Sequence, residues 1–195
     1  MSRLSKVVGV GLLLLAQTVH AQIISPPSLT ASGVQVFCQG YQPFVSFVIP
    51  VMPVDRGRPG AFFVGMRDQG ATTALFLQGD TWMPWESGMF PVYSLRNNGV
   101  SDQKFILPLN GNLAGGGWML YVGYGALSSE AEGRVQSYVA TVQKTERLTN
   151  KKLNSVDPDH YRRSFIQDDM ARKGKYTYIN TGVENNQGIC LPESS

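Results

Sequence analysis

The sequence predicts a mainly β protein, a two-sheet β-sandwich or jelly-roll-like domain followed by a C-terminal helix and a short final strand. Three observations predict it. Short apolar or alternating runs fill the chain from Val34 to Gln143, the pattern of half-buried strands. Between them stand Arg56-Gly57-Arg58-Pro59-Gly60, Asn97-Asn98-Gly99, Asn110-Gly111-Asn112 and Gly115-Gly116-Gly117, residues that tolerate or fix the φ values turns require. The 195-residue length suits one ordinary domain with a real core, and about eight strands suit two packed sheets better than a closed barrel.

The first 21 residues read as a secretory signal peptide. Arg3 and Lys6 make a positive start, Val7 to Ala16 an apolar stretch, and Val19-His20-Ala21 the small-residue end, so the mature chain is expected to begin at Gln22. No cysteine follows that point directly, which argues against a lipid anchor, and the apolar run is shorter than the roughly 20 residues a membrane span needs. The product is expected to be exported, to the periplasm or the cell surface, without an integral span. Cys38 and Cys190 are the only cysteines, and an oxidising compartment makes them a disulfide. That bond would tie the C-terminal tail to the first strand. Its loop is long enough for a stabilisation of roughly 5 kcal/mol in the chain-entropy model.

Strands are expected near Val34–Cys38, Phe44–Ile49, Ala61–Arg67, Thr73–Gln78, Pro91–Leu95, Lys104–Leu109, Trp118–Tyr124 and Gln136–Gln143. Residues 22–143 are thus assigned to the sandwich. In the seventh, Trp118, Leu120 and Val122 share one face and Met119, Tyr121 and Gly123 the other. Gly123 and Gly125 imply a bulge or the close approach of another backbone. The order GAFFVGMRD, ALFLQ, TWMPWESGMFPVYSL, KFILPLNGNL, GWMLYVGYGAL, GRVQSYVATVQ resembles secreted bacterial β-sandwich domains with a late YVGYG strand. The resemblance spans roughly Gly60 to Gln143, and it implies a fold and no catalytic residue.

Residues 144–195 read as a basic helical tail. A polar connector, Lys144 to Val156, precedes a helix with Asp157 as N-cap, Pro158 at its first position, and Arg172 and Lys173 before Gly174. Tyr161, Phe165, Ile166 and Met170 form an apolar stripe among polar residues that include Arg162 and Arg163. Such a stripe must be covered, either by the sandwich itself or by a partner. Tyr176-Thr177-Tyr178-Ile179 reads as the last strand.

Charge excludes some functions. Without Arg3 and Lys6 the chain holds 15 basic and 14 acidic residues, yet Arg147 to Lys175 holds eight basic against four acidic. That is a basic arm rather than a basic protein, and no nucleic-acid partner is expected. Enzyme chemistry finds little support. His160 is the only histidine after the signal peptide, no G-x-S-x-G turn is present, and no pair of ligand residues has zinc spacing. Glu86, Glu130 and Glu132 are the carboxylates a glycosidase would draw on; they read as loop acids. Asp55, Asp68, Asp80 and Asp102 do not form a calcium motif, and Met83, Met89 and Met119 are too dispersed for copper. No cofactor is expected.

Two non-enzymatic readings remain. The first is a structural or interaction protein, a subunit or accessory of a bacterial envelope or surface assembly, whose partner-contact helix offers Tyr161, Arg162, Arg163, Phe165, Ile166 and Met170. The alternative is a carbohydrate-binding module with a ligand surface of Trp82, Trp85, Glu86, Tyr121 and Tyr124, since aromatic faces stack on sugar rings. A glycoside hydrolase is a distant third.

Overall fold

The computed structural model describes residues 24–68, 74–109, 118–155, 157–179 and Cys190. The signal peptide reading and the turns at 110–112 and 115–117 lie outside them. The described chain is mainly β, in two antiparallel sheets. One sheet has three strands in the order β1 (Ser32–Gln39), β2 (Gln42–Ile49), β7 (Gln103–Pro108). The other runs β5 (Thr81–Trp85), β4 (Ala74–Gln78), β3 (Gly60–Asp68), β8 (Trp118–Ala126), β9 (Tyr176–Ile179), and β6 (Ser94–Arg96) shares an edge of β3 with β4.

Alternation places the core. Val45, Phe47 and Ile49 of β2 and Phe105 and Leu107 of β7 face Phe62, Val64 and Met66 of β3 and Leu120, Val122 and Tyr124 of β8, all buried. The registers keep these sets aligned: Phe47 lies opposite Phe105, Phe62 opposite Tyr124, and Val64 opposite Val122. Phe105 stacks on Phe47 at 5.2 Å and meets Phe62 edge-on at 5.6 Å, so one aromatic column bridges the sheets.

The outer face of the large sheet is covered by helix α2 (Pro158–Lys173), whose Ile166 and Met170 pack on Ala61, Phe63 and Leu127. Asp157 caps its first turn by accepting the Asp159 N–H, and Gly174 ends it at φ +62°. Here the two glycines of YVGYG matter. A Cβ on Gly123 would lie 2.6 Å from the Lys175 carbonyl oxygen, and one on Gly125 would collide with the Ile166 carbonyl. Both point at α2 or the turn that follows it, and β8 pairs with β3 without a register shift. The glycines therefore serve a close backbone approach, and no bulge interrupts β8.

Two strand expectations are corrected, and one further strand is found. Gln136–Gln143 is helical, inside α1 (Ser129–Thr149). Its β-branched residues suggested a strand, but Val135, Tyr138 and Val142 recur at helical spacing, and Ser128 caps the first turn by accepting the Ala131 N–H. This helix also takes up the first half of the expected connector, so the boundary drawn at residue 143 falls within it. Pro91–Leu95 shrinks to β6, since Tyr93 reaches the sheet by one hydrogen bond, its N–H to the Phe62 carbonyl. Thr81–Trp85 forms a strand beyond those expected. It carries Pro84, and an edge strand tolerates proline because one side of its ladder is unpaired.

The C-terminal segment is built into the fold. β9 pairs with β8 from Leu120↔Ile179 to Gly123↔Tyr176, and Cys190 is bonded to Cys38 of β1. Ser25 and Ser28 donate backbone N–H bonds to the Ala171 and Gly174 carbonyls, so the first described residues satisfy the end of α2.

Candidate functional sites

The proposed glycan surface does not assemble. Trp82 pairs with Leu77 and packs against the inter-sheet core, whereas Trp85 lies on the opposite face of β5. Trp85 meets Phe76 and Phe90 there at 5.9 and 5.0 Å, with its indole N–H buried and lacking a partner among the described residues. Tyr121 is half-buried beside Tyr176, and its hydroxyl lies 3.7 Å from the Met119 sulfur. Tyr124 is fully buried. Only Glu86 of this group is exposed. Period-two reading separated neighbours correctly within a strand, but it carried no information about which face the second sheet or α2 would cover.

Tyr124 belongs instead to a buried ionic cluster. Its hydroxyl donates to Asp55 at 3.0 Å and accepts the Met52 N–H at 2.8 Å. Lys175, almost wholly buried, places Nζ 2.6 Å from both Asp55 and Asp169 and 5.5 Å from the Tyr124 ring centre. Asp169 also accepts the Ala126 N–H at 2.9 Å and pairs with Lys173 at 2.7 Å. Burial alone would favour the neutral acid at Asp169, but the hydrogen bonds from Lys173, Lys175 and Ala126 outweigh it and hold the carboxyl below its usual range. Desolvation raises the Tyr124 phenol far above its ordinary value. Every polar tip in this cluster is matched by a protein group, so its chemistry is that of a tie. It joins the Pro53–Asp55 turn, β8 and the end of α2. Asp55, one of the four aspartates that form no calcium motif, has Lys175 as its neighbour. Asp102, from the same set, accepts from Arg56 and from the Val51 N–H.

The expected partner-contact stripe is largely spent inside the molecule. Ile166 and Met170 are buried under the large sheet, and Phe165 packs against the same cluster. Tyr161 lies 5.1 Å from Tyr138 of α1 and 4.9 Å from Phe165. Arg162 bonds Glu132 at 2.9 Å and Asp159 at 2.7 Å, and the Arg162 hydrogen bonds lower the Glu132 pKa. Glu130 and Glu132 stand in the first turn of α1 rather than in a loop, where carboxylates suit the helix dipole. Of the six residues, Arg163 alone is exposed.

Two features remain open. The first is the tip of the hairpin made by α1 and α2. The contacts of α1 with α2 involve Glu132 and Tyr138, in its first half. Its second half and the following turn carry Lys144, Arg147, Lys151 and Lys152, all exposed and none paired with a carboxylate among the described residues. Leu148 and Leu153 stand among them, 77% and 37% exposed. Glu146, a carboxylate in the same stretch, accepts the Leu153 N–H at 2.8 Å. This is where the basic excess of the tail collects, because Arg162, Arg172, Lys173 and Lys175 are each matched to acids.

The second is a cleft of about 390 Å³ between α2 and the segment before β6. Phe63 forms its floor and Met89, Phe90 and Val92 one wall. His160, Arg163 and Gln167 of α2 form the other. Their spacing of three and four residues puts them on one helix face. That spacing was legible in the sequence, but only the fold shows the aromatic wall opposite. No family model, curated protein or solved structure matches this chain.

Proposed function

We propose that the chain is an exported, non-enzymatic interaction protein, a subunit or accessory of a bacterial envelope or surface assembly, that engages an acidic protein surface through its hairpin tip. The carrying observation is the tip itself: four exposed cations, unpaired among the described residues, around two exposed leucines at the end of α1 and in the turn after it. Apolar anchors within a ring of like charge suit a complementary protein patch, where charge steers approach and buried leucine supplies affinity. A membrane surface fits less well, because interfacial helices put tryptophan or phenylalanine on the apolar side and this tip has neither. Export is supported by the N-terminal sequence and by the Cys38–Cys190 bond, which suits an oxidising compartment. Among the described residues no helix is long and apolar enough to cross a membrane.

Carbodiimide crosslinking of the protein in its native envelope, which condenses lysine amines with carboxylates, tests this. Crosslinks to a single partner are expected to concentrate on Lys144, Lys151 and Lys152, and to join acidic segments of it. Crosslinks distributed evenly over these and Lys104, an exposed lysine on β7, would reject the tip as the contact.

A further inference from the structure

The cleft beside α2 is a built site whose polar side offers mainly donors. Its apolar wall is held in place before any ligand arrives. The Phe90 ring stacks on Phe76 at 4.8 Å and meets Trp85 and Phe63 edge-on, while its N–H donates to the Gln167 side-chain oxygen at 2.5 Å. Gln167 is only 2% exposed. With its oxygen committed, what it retains for a ligand is its amide N–H donors.

Arg163 is the unusual residue of its helix. Arg162, Arg172 and Lys173 all reach carboxylates, but Arg163 reaches none among the described residues, and neither does His160. Among the described residues no aspartate or glutamate lines the cleft. Gln78, at the end of β4, adds a side-chain amide that no described residue engages and that both donates and accepts. The complementary ligand carries an anionic acceptor beside an apolar group, with an amide nearby.

We propose that this cleft binds the C-terminal end of a polypeptide, its free α-carboxylate on Arg163 and its apolar last side chain against Phe63, Phe90 and Val92. A guanidinium fork matches a carboxylate geometrically, and capture of a terminal carboxylate is a recurrent mode of peptide recognition. A fatty acid shares the charge and the apolar part, but it has no amide for Gln78 or Gln167. The site is separate from the hairpin tip, so substitution of Lys144, Arg147, Lys151 and Lys152 should leave it intact.

The test is fluorescence polarisation with a labelled hexapeptide ending in Leu-Phe, as free acid and as C-terminal amide, with dodecanoate as competitor. Saturable binding of the acid is expected, weakened about tenfold or more by amidation, since a hydrogen-bonded charge is removed. Arg163→Gln should weaken the acid to the same extent, close the difference between acid and amide, and leave the melting temperature unchanged because Arg163 is exposed. Equal binding of acid and amide, no saturable binding of the acid, or indifference to Arg163→Gln would overturn the proposal. So would dodecanoate binding more tightly than the peptide, which would make this a lipid site.

Discussion

At the scale of single residues, Asp169, in the cluster with Asp55, Lys175 and Tyr124, couples stability to acid. Asp169 is held below its ordinary pKa, so it contributes stability that is complete above the unfolded value near 4 and is lost as pH falls through the lower folded value. Asp169→Asn is therefore expected to lower stability at neutral pH by about 1–3 kcal/mol, through loss of charged hydrogen bonds to a buried lysine. The gap between variant and wild type should narrow below about pH 4. Melting temperatures from pH 3 to 8 check this, and a gap that widens on acidification would contradict it. None of the cluster was legible as such in the sequence. Asp55 and Tyr124 stand 69 positions apart, and a lysine just past a helix end reads as a solvated charge until the fold buries it.

At the scale of elements, glycine positions separate close approach from simple lack of a side chain. Gly125→Ala would press a methyl into the Ile166 carbonyl and push α2 off the sheet, whereas a Cβ on Gly133, within α1, meets nothing. The first change is expected to cost about 1–3 kcal/mol or more by overpacking. The second should add about 0.4–1 kcal/mol, since alanine favours helix and restricts the unfolded chain. Urea unfolding of both variants is the check, and equal effects would mean that α2 does not sit on β8 as described. The glycine pair was legible, because YVGYG leaves gaps on one face of an otherwise full strand. The helix α1 was not, because Tyr138-Val139-Ala140-Thr141-Val142 favours strands locally while its cap and its spacing of three and four favour helix. Only one of its residues, Val135, is buried, so the apolar stripe that usually marks a helix is thin.

At the scale of the whole molecule, the sandwich, α2 and β9 are packed together, β9 paired to β8 and α2 laid on the large sheet. Removing residues from Lys144 onward would strip β9 from the large sheet and uncover Phe63 and Gly123, so truncation there would destroy the fold instead of isolating a tail. The Cys38–Cys190 bond closes a separation of 152 residues. Replacing both cysteines by serine is expected to cost about 2–5 kcal/mol, seen as a lower urea midpoint, with no effect on the hairpin tip. An unchanged midpoint would show that the clasp adds nothing to the folded state. The sandwich class was readable from alternation and turns, which are local. The candidate sites were not, because a tip is defined by what a helix fails to cover and a cleft by two segments that meet at Phe90 and Gln167, 77 positions apart.

The measurement that bears most directly on the proposed function is capture of the tagged mature protein from its native envelope, run beside a variant with Lys144, Arg147, Lys151 and Lys152 changed to glutamate. All four are exposed and unpaired among the described residues, so the variant should keep the fold, with only a small loss of stability from reversing Arg147 in the last turn of α1. The account predicts one stoichiometric protein partner, retained by the wild type, lost by the variant, and weakened by salt as expected for exposed charges. A partner held equally by both, or glycan captured with no protein at all, would contradict it.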